Sequence, residues 1–138
     1  MRVLFVCLGN ICRSPLAHGI LEKKVQERGL NWEIDSAGTG YWHLGEPPDP
    51  RSVEIARKKT INITNQRARQ ISKQDFAHYD LILVMDKSNL RDVRALAQSE
   101  EEREKVKLIR EFSDPGKGYD VPDPYWNDDG FEQVYELL

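Results

Sequence analysis

The chain has 138 residues, 39% hydrophobic and 31% charged, a length and composition that predict a single soluble domain spanning residues 1–138. Its net charge of −3 argues against a non-specific nucleic-acid binder and against electrostatic attachment to a membrane. The apolar run near the N-terminus, residues 3–6, is too short for a signal-peptide core or a membrane span. Two cysteines do not form a disulfide framework, so we expect a cytoplasmic protein with free thiols.

Strand and helix patterns alternate along the sequence. Nearly continuous apolar runs typical of doubly buried strands occupy residues 2–7 and 80–85, and weaker strand candidates occupy residues 32–36 and 106–109. Helices are predicted at residues 15–28, from residue 49 or 50 to 59, at 72–78, and from 87 to about 98. This order predicts an α/β domain of three layers, with a small parallel sheet flanked by helices and functional sites at the carboxyl ends of the strands.

The first predicted strand ends in the sequence Cys7-Leu8-Gly9-Asn10-Ile11-Cys12-Arg13-Ser14-Pro15. Ser14 is a preferred helix N-cap and Pro15 a preferred first helical residue, so the free N–H groups of a helix should point back into this loop. Gly9 and Asn10 tolerate the positive φ angles that let successive amides converge on an anion. Arg13 adds a planar fork that can hold two phosphate oxygens. The segment from Leu8 to Ser14 is therefore predicted to bind phosphate.

Cys7 is the candidate nucleophile of this loop. Thiols at helix N-termini beside cations ionise more readily than free cysteine, so we expect Cys7 to be a thiolate at neutral pH. A thiolate beneath a bound phosphate is positioned for in-line attack on phosphorus, which gives a phosphocysteine. A lone cysteine at a strand end is usually a small buried side chain, but the complete loop favours the nucleophile.

The Cys-x5-Arg-Ser spacing, with Gly-Asn inside it and Pro after it, resembles the low-molecular-weight protein tyrosine phosphatases. Further segments look like that family's and follow its order, at residues 35–39, 45–49, 68–71, 85–90 and 123–125. The resemblance covers essentially the whole chain. It implies a four-stranded parallel sheet and a two-step hydrolysis without metal or other cofactor. Expected partners are tyrosine-phosphorylated proteins or small aryl phosphates, and expected inhibitors are phosphate-like oxyanions.

The same resemblance implies roles for particular side chains. Asp123, in the Asp-Pro-Tyr segment, matches the general acid, with Asp120, Asp128 and Asp129 as alternatives. Asn10 and Ser14 match polar supports of the loop, Ser14 bonding the thiolate and Ser36 bonding Asn10. The implied walls around the substrate ring are Trp42, Tyr125 and Trp126.

Cys12 is predicted to capture an oxidised Cys7 as a reversible disulfide, the alternative being a packing thiol. The chain departs from the family at Gln66, where members often have a histidine. It also ends at Leu138, before the family's usual C-terminal helix would finish. His18 is interpreted as a surface or packing residue, and none of the three histidines has metal-ligand spacing, so no metal is predicted.

Three other functions stay open at this point. A phosphoarginine phosphatase is disfavoured by Ile11, because relatives of that specificity carry Thr there. A thiol-linked arsenate reductase needs further cysteines, and the sequence has none after Cys12. A non-catalytic phosphate-binding module would not need both Cys7 and Asp123.

Overall fold

The structure is a computed structural model that describes residues 1–111, 116–117 and 120–121. Its strands are β1 (Arg2–Cys7), β2 (Glu33–Gly38), β3 (Leu81–Val84) and β4 (Val106–Leu108). Its helices are α1 (Arg13–Glu27), α2 (Pro50–Lys58), α3 (Lys73–His78), α4 (Lys87–Leu96) and α5 (Glu100–Glu104), and a 3₁₀ turn at Ile109–Glu111 follows β4. The segment up to Leu138, where the resemblance implies a shortened C-terminal helix, lies outside the described residues.

The four strands form one parallel sheet in the order β2-β1-β3-β4. β1 is therefore central, with Cys7 opposite Gly38 of β2 and Val6 opposite Val84 of β3. The strand order reverses at β1, and in open parallel sheets ligands bind beyond the carboxyl ends of the strands at such a point. The segment after Cys7 leaves the sheet there.

Both faces of the sheet are buried. Alternate β1 residues point to opposite sides, with Val3 and Phe5 in one apolar cluster and Leu4 and Val6 in the other. The first cluster includes Leu16 of α1, and the second includes Phe76 of α3 and Val93 of α4. The predicted four-stranded parallel sheet between two helical layers is confirmed.

The predicted elements are all present, with shifted ends. Asp49, Ser72 and Asp86 are the N-caps of α2, α3 and α4, and the side chains of Asp49 and Asp86 accept backbone N–H bonds there. Helix α5 is additional to the predicted helices and covers the acidic run Glu100–Glu104. It is capped by Ser99, which accepts from the Glu102 N–H.

The start of α1 is a correction. Ser14 is not the N-cap; the helix begins at Arg13 after Cys12, which makes no side-chain cap hydrogen bond. The Ser14 hydroxyl instead faces Cys7 Sγ at 3.0 Å and receives the Asn10 amide at 2.8 Å. The capping preference of serine is overridden because this hydroxyl bonds inside the loop.

Candidate active site

The loop from Cys7 to Ser14 joins the central strand to α1 and buries several polar groups. Asn10 is buried with φ of 57°, in the left-handed region that an asparagine tolerates better than most residues. Among the described residues, no acceptor bonds the backbone N–H groups of Leu8, Gly9 and Ile11. Such amides around a helix N-terminus form a site suited to an anion.

Two donors converge on the buried sulfur of Cys7. The Asn10 N–H donates to Sγ at 3.2 Å, and the Ser14 hydroxyl lies 3.0 Å from Sγ. Both donors point at the same atom, so the loop fixes the position of the sulfur.

The direction of the Ser14 bond follows from its neighbours. The Arg69 N–H, which can only donate, is 3.0 Å from Asn10 Oδ1, so the amide nitrogen of Asn10 faces Ser14 at 2.8 Å. Ser14 Oγ accepts that bond and keeps its own proton, with Cys7 Sγ at 3.0 Å and the Ala37 carbonyl at 3.5 Å as acceptors. The nearer acceptor is the sulfur. Asn10 thus orients Ser14 as a donor to Cys7.

Arg13 is buried at the start of α1 and is held by a carboxylate and a carbonyl. Its Nη1 donates to Asp86 Oδ2 at 2.7 Å and to the Val121 carbonyl at 2.8 Å. Asp86 is itself fixed as the N-cap of α4, where it accepts from Asn89 N–H at 2.8 Å. A buried guanidinium needs such partners, and they fix its plane beside the loop.

Neighbouring segments hold the loop backbone in place. The carbonyls of Cys7 and Leu8 accept from Thr39 N–H at 2.9 Å and Gly40 N–H at 2.8 Å. A side chain at Gly38 would meet the Leu8 carbonyl at 2.7 Å, so this close approach requires glycine. The loop is therefore braced along the end of β2.

Asp49 holds the other side of the loop. Its N–H donates to the Ile11 carbonyl at 2.7 Å, and its side chain caps α2 and pairs with Arg51 at 3.0 Å. Burial raises the pKa of Asp49, but hydrogen bonds from the Arg51 side chain and backbone outweigh burial and hold it below its usual value. The carboxylate therefore stays ionised as a brace.

The predicted bond between Ser36 and Asn10 is wrong. Ser36 Oγ lies 3.2 Å from His18 Nδ1 and 3.5 Å from Gln66 Oε1, while the Asn10 side chain is used by Ser14 and Arg69. His18 is buried and also lies 3.3 Å from Glu22. Ser36 is turned toward α1 because a histidine reaches it from that helix.

Gln66 is the position at which the sequence is expected to depart from the family that it resembles. Its Nε2 donates to the Pro15 carbonyl at 3.1 Å, so it ties this segment to the first turn of α1. Gln66 therefore contacts the helix that follows the loop.

An ion-pair cluster of Arg69, Asp35, Asp75 and Tyr79 lies behind Asn10. Arg69 bonds both carboxylate oxygens of Asp75 at 3.1 Å and Asp35 at 3.1 Å. The Tyr79 hydroxyl donates to Asp35 at 3.4 Å. Because the Arg69 N–H donates to Asn10, this ion-pair cluster fixes the position of a residue that orients Ser14 toward Cys7.

The other predicted site residues lie partly inside and partly outside the described part of the chain. Trp42 is well exposed in the loop after β2 and stacks on Tyr41, with ring centroids 5.6 Å apart. Ile11 and Cys12 are buried beside Ala68, and both cysteines are free thiols. Asp123, Tyr125 and Trp126 lie outside the described residues.

Sequence reasoning missed Asp86, Arg69, Asp49 and His18 as members of this site. Asp86 follows the second buried strand, so its place at the shared sheet edge was a usable signal. His18 lies four residues after Ser14 and so shares its helix face. The contact of the Arg69 backbone with Asn10 carries no signal in side-chain type.

No transmembrane or metal feature accompanies the site in the part of the chain that is described. None of those helices combines the length and apolar character of a membrane span. In the same residues, His, Cys, Asp and Glu side chains do not gather in groups of three or more that could hold a metal ion.

Comparisons with known proteins agree on one family. Its model, described as "Low molecular weight phosphotyrosine protein phosphatase", matches residues 2–138. A Sus scrofa protein of that name is 49% identical, over 97% of this chain and 86% of its own length. One from Schizosaccharomyces pombe is 45% identical, over 100% of this chain and 90% of its own.

Solved structures give the same result. A protein tyrosine phosphatase from Entamoeba histolytica superposes with a TM-score of 0.91 at 33% identity, covering 99% of this chain and 88% of its own. The Wzb protein of Vibrio vulnificus, solved in complex with benzylphosphonate, superposes with a TM-score of 0.86 at 31% identity, covering 99% and 90%.

Proposed function

The chain belongs to the low molecular weight phosphotyrosine protein phosphatase family, and on that premise we propose that it hydrolyses phosphotyrosine in proteins through a phosphocysteine at Cys7. The observation that carries this mechanism is the pair of hydrogen-bond donors, Asn10 N–H and Ser14 Oγ, at 3.2 and 3.0 Å from the buried sulfur. They hold the sulfur in place at the end of the central strand, and the attacking form in this mechanism is the thiolate.

In the first step the Cys7 thiolate attacks phosphorus and the P–O bond to the phenol breaks. The loop amides and Arg13 hold the other phosphate oxygens as charge redistributes between them. In the second step water attacks the phosphocysteine, the S–P bond breaks and inorganic phosphate leaves. The Ser14 hydroxyl, which donates toward Sγ, stabilises the departing thiolate.

We assign the general acid to Asp123, which gives its proton to the leaving phenolate and takes one from water in the second step. A phenolate leaves poorly without a proton, because its conjugate acid has a pKa of ~10. The Arg13 bond to the Val121 carbonyl at 2.8 Å supports this assignment, because it anchors the chain two residues before Asp123 beside the phosphate loop. The alternative Asp120 accepts from Lys87 N–H at 3.1 Å and so has a different role at α4.

The substrate class rests on the family and on exposed apolar side chains beside the loop. Leu8 and Trp42 are both well exposed, and each offers an apolar surface to an aromatic ring. The V. vulnificus relative was solved with benzylphosphonate, an aromatic phosphonate. We therefore propose tyrosine-phosphorylated proteins and small aryl phosphates as substrates, with Trp42, Tyr125 and Trp126 as walls and with phosphate-like oxyanions as inhibitors.

We also infer a redox partner for the nucleophile. Peroxide would convert the Cys7 thiolate to a sulfenic acid, and the Cys12 thiol would condense with it, release water and leave a disulfide. A thiol reductant then reduces the disulfide and restores both cysteines as thiols. The need for a reduced Cys7 makes the cytoplasm the expected compartment.

The central experiment compares wild type and Cys7→Ser on phosphotyrosine, phosphoserine, phosphoarginine, and arsenate with a thiol reductant. We expect turnover of phosphotyrosine by wild type alone, and acid quenching should trap phosphate on the peptide that contains Cys7. Vanadate affinity of Cys7→Ser should stay within about tenfold of wild type, since Arg13 and the amides remain. Turnover by Cys7→Ser, or phosphate trapped on another residue, would contradict the mechanism.

The acid is tested separately with Asp123→Asn. This variant should lose ~10²-fold or more in kcat on phosphotyrosine and much less on aryl phosphates with acidic phenols. The alkaline limb of its kcat/KM profile should flatten. An unchanged profile would move the acid to Asp120, Asp128 or Asp129.

A further inference from the structure

A side pocket of about 380 Å³ adjoins the loop from Cys7 to Ser14. It shares Leu8 and Trp42 with the proposed substrate site, and its far side, toward α4, is not used by the mechanism above. It runs from the loop after β2 to α4 and is lined by Leu8, Thr39, Trp42, Ile71, Asp92 and Leu96, among others. Leu8 follows the nucleophile directly, and Thr39 N–H donates to the Cys7 carbonyl at 2.9 Å. The side pocket is therefore continuous with the proposed phosphotyrosine site.

Most of the side-pocket wall is apolar. Ile71 and Leu96 pack into the core face that holds α4, and Leu8 and Trp42 expose 41% and 64% of their surface. The Trp42 ring folds over Gly40, where a Cβ would lie 2.0 Å from a ring carbon. Such walls suit the methylene stem of a long side chain, and an indole face also attracts a cation.

Each polar side chain of the side pocket can accept a hydrogen bond. Asp92 is the single charged residue among those lining it, and its contact with Arg91 at 3.8 Å is long and exposed, so it neutralises the carboxylate little. Gln70 Nε2 donates to the Thr39 carbonyl at 3.1 Å, which leaves the Gln70 Oε1 as an acceptor. Thr39 Oγ1 is buried and has no hydrogen-bond partner within the described part of the chain. This set favours a cationic donor.

We propose that the side pocket binds a lysine or arginine side chain of the substrate protein, close in sequence to the phosphotyrosine. The stem lies along Leu8, Trp42 and Ile71, and the charged head reaches Asp92. The inference rests on the proposed function and adds to it a preference for basic phosphotyrosine sequences.

The test uses a phosphotyrosyl peptide with alanine at the three positions on each side, and six further peptides with one lysine each. Wild type, Asp92→Asn, Asp92→Lys and the control Glu101→Gln, an exposed acid of α5, are each assayed on all seven peptides and on p-nitrophenyl phosphate. We expect wild type and Glu101→Gln to prefer lysine at one or more positions by about two- to fivefold in kcat/KM, as for an exposed ion pair. Asp92→Asn should lose that preference, and Asp92→Lys should reverse it, hydrolysing the lysine peptide that wild type prefers more slowly than the alanine peptide.

The outcomes separate the two proposals. Hydrolysis of p-nitrophenyl phosphate with equal kcat/KM for all seven peptides would overturn this inference alone. A lysine preference that persists in Asp92→Asn and Asp92→Lys would also overturn it, by placing the cation elsewhere. Failure of wild type to hydrolyse any of these compounds would overturn the proposed function and this inference with it.

Discussion

The loop from Cys7 to Ser14 and the ion-pair cluster around Arg69 meet at Asn10, and they differ in how many of their hydrogen-bond donors are paired. In the ion-pair cluster, Arg69 bonds two carboxylates and Tyr79 adds a further donor to Asp35. In the loop, the N–H groups of Leu8, Gly9 and Ile11 bond no described acceptor, and neutral bonds through Asn10 and Ser14 position the sulfur. The ion-pair cluster holds neighbouring residues in place, so its charged groups can pair with one another. The loop is proposed to bind phosphate, so it must leave backbone N–H groups unpaired for the phosphate oxygens.

The largest effect on activity is expected at Arg13, the permanently charged residue of the loop. Arg13→Lys keeps the charge but loses the planar fork, so kcat/KM on p-nitrophenyl phosphate should fall about 10²-fold or more. Steady-state kinetics beside Arg103→Lys, an exposed residue of α5 paired with Glu100, supply the control. If kcat/KM falls equally in both variants, or in neither, the hypothesis that the Arg13 guanidinium recognises phosphate with two nitrogens is contradicted.

The next effect concerns Asn10, the residue shared by both regions. Asn10→Gly keeps access to φ of 57° but removes the bond to Ser14 and the acceptor of the Arg69 N–H, so kcat should fall about tenfold and the free energy of unfolding by about 1–3 kcal/mol. Asn10→Ala loses the same two bonds and adds backbone strain of about 1 kcal/mol or more. Kinetics and urea unfolding of the two variants together separate the hydrogen bond from the conformation. If Asn10→Gly keeps the wild-type kcat, the orientation of Ser14 by Asn10 does not contribute to the reaction.

A smaller effect is expected in the ion-pair cluster. Arg69→Gln leaves two carboxylates without their cation, so the free energy of unfolding should fall by about 1–3 kcal/mol, with a modest loss of kcat through Asn10. Arg57→Gln is the matched control, since Arg57 also bonds both oxygens of an acid, Glu54, but on an exposed surface. Urea unfolding should show no measurable loss for Arg57→Gln. Equal losses would mean that burial does not distinguish the two pairs.

The smallest effect is a pH dependence at Tyr79. Burial, followed by the charge of Asp35, raises the pKa of Tyr79 from 10.0 to about 12. The folded state therefore favours the protonated phenol, and this contribution is complete below pH 10.0 and is lost between pH 10.0 and about 12. Tyr79→Phe should show a smaller fall in unfolding free energy across that window than wild type. In the control Tyr41→Phe, which changes an exposed tyrosine, the unfolding free energy should fall as much as in wild type.

The elements were predictable because their signals are local. Residues 2–7 form β1 at its predicted bounds, since five consecutive buried residues there leave little choice between faces. Asp49 and Asp86 cap their helices as short acceptor side chains do. Ser14 shows the limit of such rules, because a competing partner seven residues earlier took its hydroxyl.

Sequence by itself determined the alternation of strands and helices, the loop between Cys7 and Ser14, and the family, because these depend on neighbouring residues and on a nine-residue motif. Tertiary structure decided the partners: Asp86 and Val121 for Arg13, the Arg69 backbone for Asn10, and His18 for Ser36. Those contacts join residues 18 to 108 positions apart, and a hydrogen bond depends on where the folded chain brings a donor and an acceptor. The side pocket between the β2 loop and α4 exists only in the folded chain for the same reason.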